Sequence, residues 1–136
     1  MSDGVEIFAN EYLIARLEYD GKLLRVVRTA LGFPDPEAAI RAYAPLIVIM
    51  DRLGRAERCV LSDVRLAPGR NDPAFEAAFA QVRKQAFAGF RKAATLVQSK
   101  VGLLQLSRLI KQDRMDRMAS DNEAELLAYL GFGPTG

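Results

Sequence analysis

Side chains able to do acid–base or nucleophilic chemistry are scarce in this chain, and the scarcity is informative. None of the 136 residues is a histidine. That removes the commonest general base near neutral pH, the usual partner of a serine or cysteine nucleophile, and the commonest zinc ligand. Cys59 is the sole cysteine, so no internal disulfide and no Cys-Cys zinc motif can form. Its neighbours Val60 and Leu61 put it in an apolar strand. A low thiol pKa needs a nearby positive charge or a helix N-terminus, and with an apolar strand around it and no histidine to pair with, a buried structural role is expected. Asp113, Asp116 and Asp121 are spaced so that two could share a metal. Calcium and magnesium loops, however, gather several oxygens around a glycine, and helix-end solvation and capping account for these aspartates more simply. The glycines follow no phosphate-binding pattern. These residues point to binding rather than catalysis, with no metal and no cofactor expected.

Two groups of residues could do the binding. The loop from Arg65 to Asp72 precedes a helix start and carries Arg65, Arg70 and Asn71. In an open parallel sheet such a loop lies in the crevice beyond the carboxyl strand ends, where its arginines could hold an anion. Pro68 and Gly69 in the same loop are also explained by turn formation alone. The second group is Val101, Leu104, Arg108 and Lys111, which share the side of a helix opposite Leu106. Apolar residues framed by basic ones resemble an interface core with a charged rim, so self-association or a partner contact is expected there. Cover by the preceding loop is the competing explanation for Val101 and Leu104.

Charge is polarised along the chain. From Arg83 to Arg117 there are nine basic and two acidic residues, 9 − 2 = +7, and from Met1 to Asp20 one basic and five acidic, 1 − 5 = −4. A basic surface can attract phosphates, anionic lipid or an acidic protein. Aromatic interleaving is poor, because Phe75, Phe79 and Phe90 are needed in the core and tryptophan is absent, so specific nucleic-acid binding is not expected. A solvated basic helix face is the plainer explanation of the charge.

The elements that must position these residues follow from periodicity. Tyr12–Tyr19 and Lys22–Thr29 are strand-like and separated by Asp20-Gly21, the signal of a type I′ turn. The implied register sets Leu17 opposite Leu24, Ala15 opposite Val26 and Arg16 opposite Arg25, near Glu18. Asp35-Pro36 and Asp72-Pro73 each read as an N-cap followed by a first-turn proline. The first begins a helix kinked at Pro45, running to Leu53 and closed by Gly54 as a left-handed terminator. The second carries the stripe Phe75, Phe79, Val82, Ala86 and Phe90 and ends near Arg91. Arg58–Val64 and Ala94–Gln98 read as strands, and Ser99 caps a helix to about Met115 with Leu103, Leu106, Leu109 and Ile110 on its core side. A brief strand near Met118 and a helix from Glu123 to Leu130, stopped by Gly131, complete the order ββαβαβαβα. The expectation is one α/β domain over residues 1–136, core about 12–132, with a mixed, mostly parallel sheet of four or five strands and the opening hairpin as its one antiparallel pair.

The longest uninterrupted apolar run, Ala42 to Met50, is only nine residues. That is far short of the roughly twenty needed to cross a bilayer. No transmembrane segment is expected. The first residues, Met1-Ser2-Asp3-Gly4-Val5-Glu6, have neither a basic nor an apolar leader region, so a cytoplasmic protein is expected.

The element order, together with the closing segment Arg117-Met118-Ala119-Ser120-Asp121-Asn122-Glu123-Ala124-Glu125-Leu126-Leu127-Ala128-Tyr129-Leu130, resembles the STAS fold of sulphate transporters and anti-sigma-factor antagonists. The likeness covers roughly Tyr12 to Phe132 and is closest to the small stand-alone bacterial members. It implies a regulatory interaction domain without chemistry of its own. The antagonists carry a phosphorylatable serine in an Asp-Ser-Ser/Thr-Gly-like motif where the helix after the third strand begins. Here Asp63 to Pro73 holds no serine or threonine, and Ser62 lies inside a strand, so the switch residue has no counterpart.

Three functions are therefore expected in descending order. The first is a STAS-like protein-interaction module, regulatory and dimeric or bound to a partner, acting through the helix after Ser99 and the loop before the Phe helix. The second is a small lipid or organic-anion binding domain that uses the apolar interior beneath the first helix and the arginine loop. The third is an enzyme working without histidine through Asp63 and Arg65, which requires a carboxylate with a raised pKa.

Overall fold

The structure, a computed structural model, describes residues 4–68, 72–113 and 117–133. Its sheet has six strands in the order in which the chain makes them: β1 (Val5–Ala9), β2 (Leu13–Glu18), β3 (Leu23–Arg28), β4 (Cys59–Asp63), β5 (Lys92–Leu96) and β6 (Met118–Ser120). The helices are α1 (Pro36–Leu53), α2 (Pro73–Phe87), α3 (Lys100–Asp113) and α4 (Glu123–Leu130). From β3 to β6 every neighbour is parallel, and each step is made through a crossover helix. The expected mixed α/β sheet is present, with one strand more than expected.

That strand is β1. It pairs antiparallel with β2, so β2–β3 is not the sheet's one antiparallel pair. A register irregularity between Glu6 and Phe8 breaks the two-residue alternation by which a strand is recognised. Asn10 makes the turn into β2, its Oδ1 accepting from the amides of Tyr12 (2.8 Å) and Leu13 (2.9 Å). The β2–β3 register is the expected one, Leu17 facing Leu24, Arg16 facing Arg25 and Ala15 facing Val26. At its turn Tyr19 (φ 52°), Asp20 (φ 57°) and Gly21 (φ 80°) all take positive φ, and the Gly21 and Lys22 amides donate to the Glu18 and Tyr19 carbonyls at 3.1 Å each, so the left-handed stretch begins one residue before the expected Asp20-Gly21 pair.

Both Asp-Pro helix starts form. Asp35 accepts from the Ala38 amide (2.8 Å) and Asp72 from the Phe75 amide (3.2 Å). Helix α1 runs unbroken through Pro45 to Leu53. Its end differs from expectation: Gly54 has φ 86° and ψ 112°, outside the left-handed helical region. The last carbonyls are satisfied instead by Arg58, whose Nη1 donates to Leu53 (2.7 Å) and Gly54 (3.2 Å). Helix α2 also stops earlier than its apolar stripe suggests, at Phe87, and β5 begins at Lys92 rather than Ala94. The Lys92 ammonium sits over the Tyr129 ring and donates to the Tyr129 carbonyl, and a charged residue serves as the first strand position.

The sheet buries different residues on its two faces. Leu13, Ala15, Leu24, Val26, Val60 and Ala93 pack against α1 and α2, through Ala39, Tyr43, Leu46 and Met50 of the former and Phe75, Phe79, Val82 and Ala86 of the latter. Leu23, Cys59, Leu61, Ala94 and Leu96 face the other way, toward Leu126 and Leu130 of α4. Every residue of β4 is buried, as in a strand covered on both faces. Helix α3, capped by Ser99 Oγ accepting from the Gly102 amide (3.2 Å), makes its main backbone contacts with β6. Among the described residues no helix is long and apolar enough to cross a membrane.

Candidate functional site

Because β3, β4 and β5 run parallel, the chain leaves all of them at one edge of the sheet, and a cleft of about 370 Å³ opens there. Arg28 ends β3, Val64 and Arg65 follow β4, and Val97 follows β5; all line the cleft. Helix α2 borders it through Phe75, Phe79 and Arg83, and α3 through Gly102, Gln105 and Leu106. Its floor is aromatic. Phe33 lies 6.3 Å from Phe75 and 6.1 Å from Phe79, centroid to centroid, and Phe75 lies 5.7 Å from Phe79.

The arginines at this cleft differ in what holds them. Arg65, 46% exposed, grips Asp63 with both ends of its fork: Nε to Oδ1 at 3.0 Å and Nη2 to Oδ2 at 2.7 Å. Glu123 of α4 stands 3.5 Å from the same Nη2 and also meets Arg25, which in turn holds Glu18 at 2.8 Å. The result is a chain of alternating charges, Glu18–Arg25–Glu123–Arg65–Asp63, tying β2, β3, β4 and α4 together. Arg83, only 8% exposed, reaches back along α2 to the Glu76 carboxylate at 2.8 Å.

Arg28 is different. Its guanidinium lies 4.1 Å from the centroid of the Phe33 ring, and Nη2 donates to the Leu31 carbonyl at 3.2 Å. Among the described residues no carboxylate pairs with it, and its buried Nε meets no acceptor. Burial pulls its pKa below the usual arginine value, with the Tyr43 hydroxyl as a partial counterweight. Burial raises the pKa of Tyr43 itself, against the opposing influence of Arg28 and Arg117.

Of the residues expected to bind an anion, Arg65 lines the cleft, whereas Arg70 and Asn71 lie outside the described residues. Asp63 does not have the raised pKa that a catalytic role for it requires. Burial alone would raise it, but the hydrogen bonds and charge of Arg65 outweigh burial and hold the carboxyl below its ordinary range. The same pairing raises the pKa of Arg65. On α3, Val101 and Leu104 are 68% and 66% exposed, with Arg108 and Lys111 also in solvent. All four sit on one helix face, as their spacing requires, and the loop does not cover the apolar pair.

The basic segment from Arg83 to Arg117 is not one surface. Arg83 and Arg117 are 8% and 6% exposed, and the Arg117 guanidinium stacks 4.3 Å from the Phe87 ring centroid. Cys59 is buried as expected, with Arg91 Nη2 at 3.4 Å from its sulfur. No group of three or more metal-ligating side chains occurs among the described residues; Asp113 and Asp116 have no described side chains. Sequence reasoning missed Arg28, although a signal was there. On β3 it is in phase with the core residues Leu24 and Val26, so an arginine stands where alternation calls for an inward side chain.

Compared with family models, curated proteins and solved structures, the chain matches none of them.

Proposed function

We propose that this chain is a non-catalytic binding domain that takes a small organic molecule into the cleft at the carboxyl edge of β3, β4 and β5. The observation that carries the reading is the cleft itself: an aromatic floor on the core side, polar groups at its margins, and a volume within the range of small-molecule sites. Position supports it too, since ligands of open α/β sheets collect beyond the carboxyl strand ends. The test is a thermal-shift and calorimetric screen of compact aromatic and branched-aliphatic compounds on the wild type and on Ala67→Phe, which places a ring in the cleft from its loop wall. Saturable binding to the wild type that Ala67→Phe abolishes is the expected result. Equal binding to both proteins would place the ligand elsewhere.

A second reading rests on its own observation. Val101 and Leu104 stand exposed on α3 between Arg108 and Lys111, the arrangement of an interface core with a basic rim, suited to an acidic protein partner or to self-association. It accords with the STAS-like order of elements, whose relatives work by contact with other proteins. If Leu104→Asp changes neither the mass in solution nor the set of proteins retained, this second reading is wrong.

A further inference from the structure

We propose that the cleft selects an organic acid, a carboxylate on a compact aromatic or branched apolar body, and that Arg28 rather than Arg65 is the residue that receives the carboxylate. This rests on the reading of the cleft as a ligand site and names the class of ligand it takes.

Among the described residues, three arginines line the cleft, and two of them are already taken. Arg65 has its fork filled by Asp63 and a second carboxylate, Glu123, beside it; an incoming anion would have to displace one and approach the other. Arg83 is held by Glu76 in the wall of the same cleft. Arg28 lines the cleft with its guanidinium against an aromatic ring, one carbonyl and a tyrosine hydroxyl for company, and no carboxylate among the described residues; its Nε is closed off inside the protein, so a guest meets the outer edge of the fork. Guanidinium presents five N–H donors in a fixed plane, and the partner that best uses two of them together is a planar carboxylate. Taking such a cation out of water is unfavourable without a counter-charge, and here the described protein supplies none.

The rest of the cleft fits the remainder of the molecule. Phe33, on which Arg28 stacks, continues into Phe75 and Phe79, so an acid bound at Arg28 lays its body on rings. At about 370 Å³ the space is near the lower end of ligand-site volumes, which suits a ring-bearing acid better than a long acyl chain.

The probes are 2-naphthoate and its neutral isostere 2-naphthamide, titrated calorimetrically into the wild type, Arg28→Gln and Arg65→Gln. The wild type is expected to bind naphthoate at least about 10-fold more tightly than the amide, the ratio that one charge-assisted bidentate pair supports. Arg28→Gln should remove that preference, while Arg65→Gln should change naphthoate affinity less than about 3-fold, the effect of an exposed charge at the rim. Equal affinity for acid and amide in the wild type would overturn the anion assignment and leave the cleft as a ligand site. Loss of the preference in Arg65→Gln alone would overturn the choice of Arg28. Binding of neither probe, nor of any compound in the wider screen, would instead overturn the cleft reading itself. Should Arg28→Gln fail to fold, Arg28→Lys, which keeps the charge but not the planar fork, must show the reduced preference.

Discussion

Arg28 and Arg65 lie at the ends of adjacent parallel strands, yet their surroundings are opposite. Arg65 is half-exposed and fully engaged, joined to Asp63 and through Glu123 to the charge chain that binds α4 to the sheet. Arg28 is more enclosed and has no carboxylate partner among the described residues. The contrast separates two uses of one side chain. The carboxylate partners of Arg65 belong to the fold, whereas Arg28 has a carbonyl and a tyrosine hydroxyl but no carboxylate, which is why the guest's charge is proposed to go to Arg28. Residue type and position in the sheet therefore decide less than the company the residue keeps.

The largest expected effect breaks the cleft side of the comparison. Phe79 belongs both to the cleft floor and to the core between sheet and helices, so Phe79→Ala should cost about 3–5 kcal/mol in urea unfolding. A loss under about 1 kcal/mol would mean that the floor is not part of the core.

On the other side, Asp63→Ala strips Arg65 of its main partner and should cost about 1–2 kcal/mol near neutral pH, discounted for the exposure of Arg65. The pH dependence has a definite sign. The folded-state carboxyl of Asp63 titrates below its ordinary range, so its contribution is complete above that range and disappears as pH falls through the lowered folded value. The unfolding free energies of the wild type and Asp63→Ala should therefore converge in acid. A gap that persists there would show that packing, not the ion pair, is what the substitution removed.

A smaller effect sharpens the contrast. Arg28→Met, which keeps apolar bulk on Phe33 and deletes a partly buried charge, should leave the unliganded protein as stable or raise its stability by about 1 kcal/mol. Destabilisation beyond 2 kcal/mol by the same substitution would show that Arg28 is structural after all. The smallest effect is expected on α3, where Leu104→Asp should stay within about 0.5 kcal/mol of the wild type because Leu104 stands in solvent.

Much of the architecture could be read from local chemistry. Two Asp-Pro pairs started helices and Asp20-Gly21 fixed the β2–β3 register, because capping and turn geometry involve only a few adjacent atoms. What escaped depends on distant residues. β1 is recognisable chiefly by its pairing with β2, since its bulge disturbs the alternation. The start of β5 at Lys92 is set by pairing with Cys59 of β4, 33 residues earlier in the chain. The α1 terminus is completed by Arg58 rather than by the glycine that seemed to end it. The site divides along the same line. A loop arginine before a helix start pointed to Arg65, but nothing nearby in the chain reveals that Asp63 and Glu123 already occupy it. The in-phase arginine on β3 was the better signal, and it needed the knowledge that Phe33, Phe75 and Phe79 converge beneath it.

The most direct examination of the claim watches both guanidinium groups at once. In a nitrogen–proton correlation spectrum, the Nε–H resonances of Arg28 and Arg65 are followed while 2-naphthoate is added to the wild-type protein. The Arg28 resonance is expected to move saturably while that of Arg65 stays nearly still. Movement of Arg65 alone, or of neither, would contradict that claim.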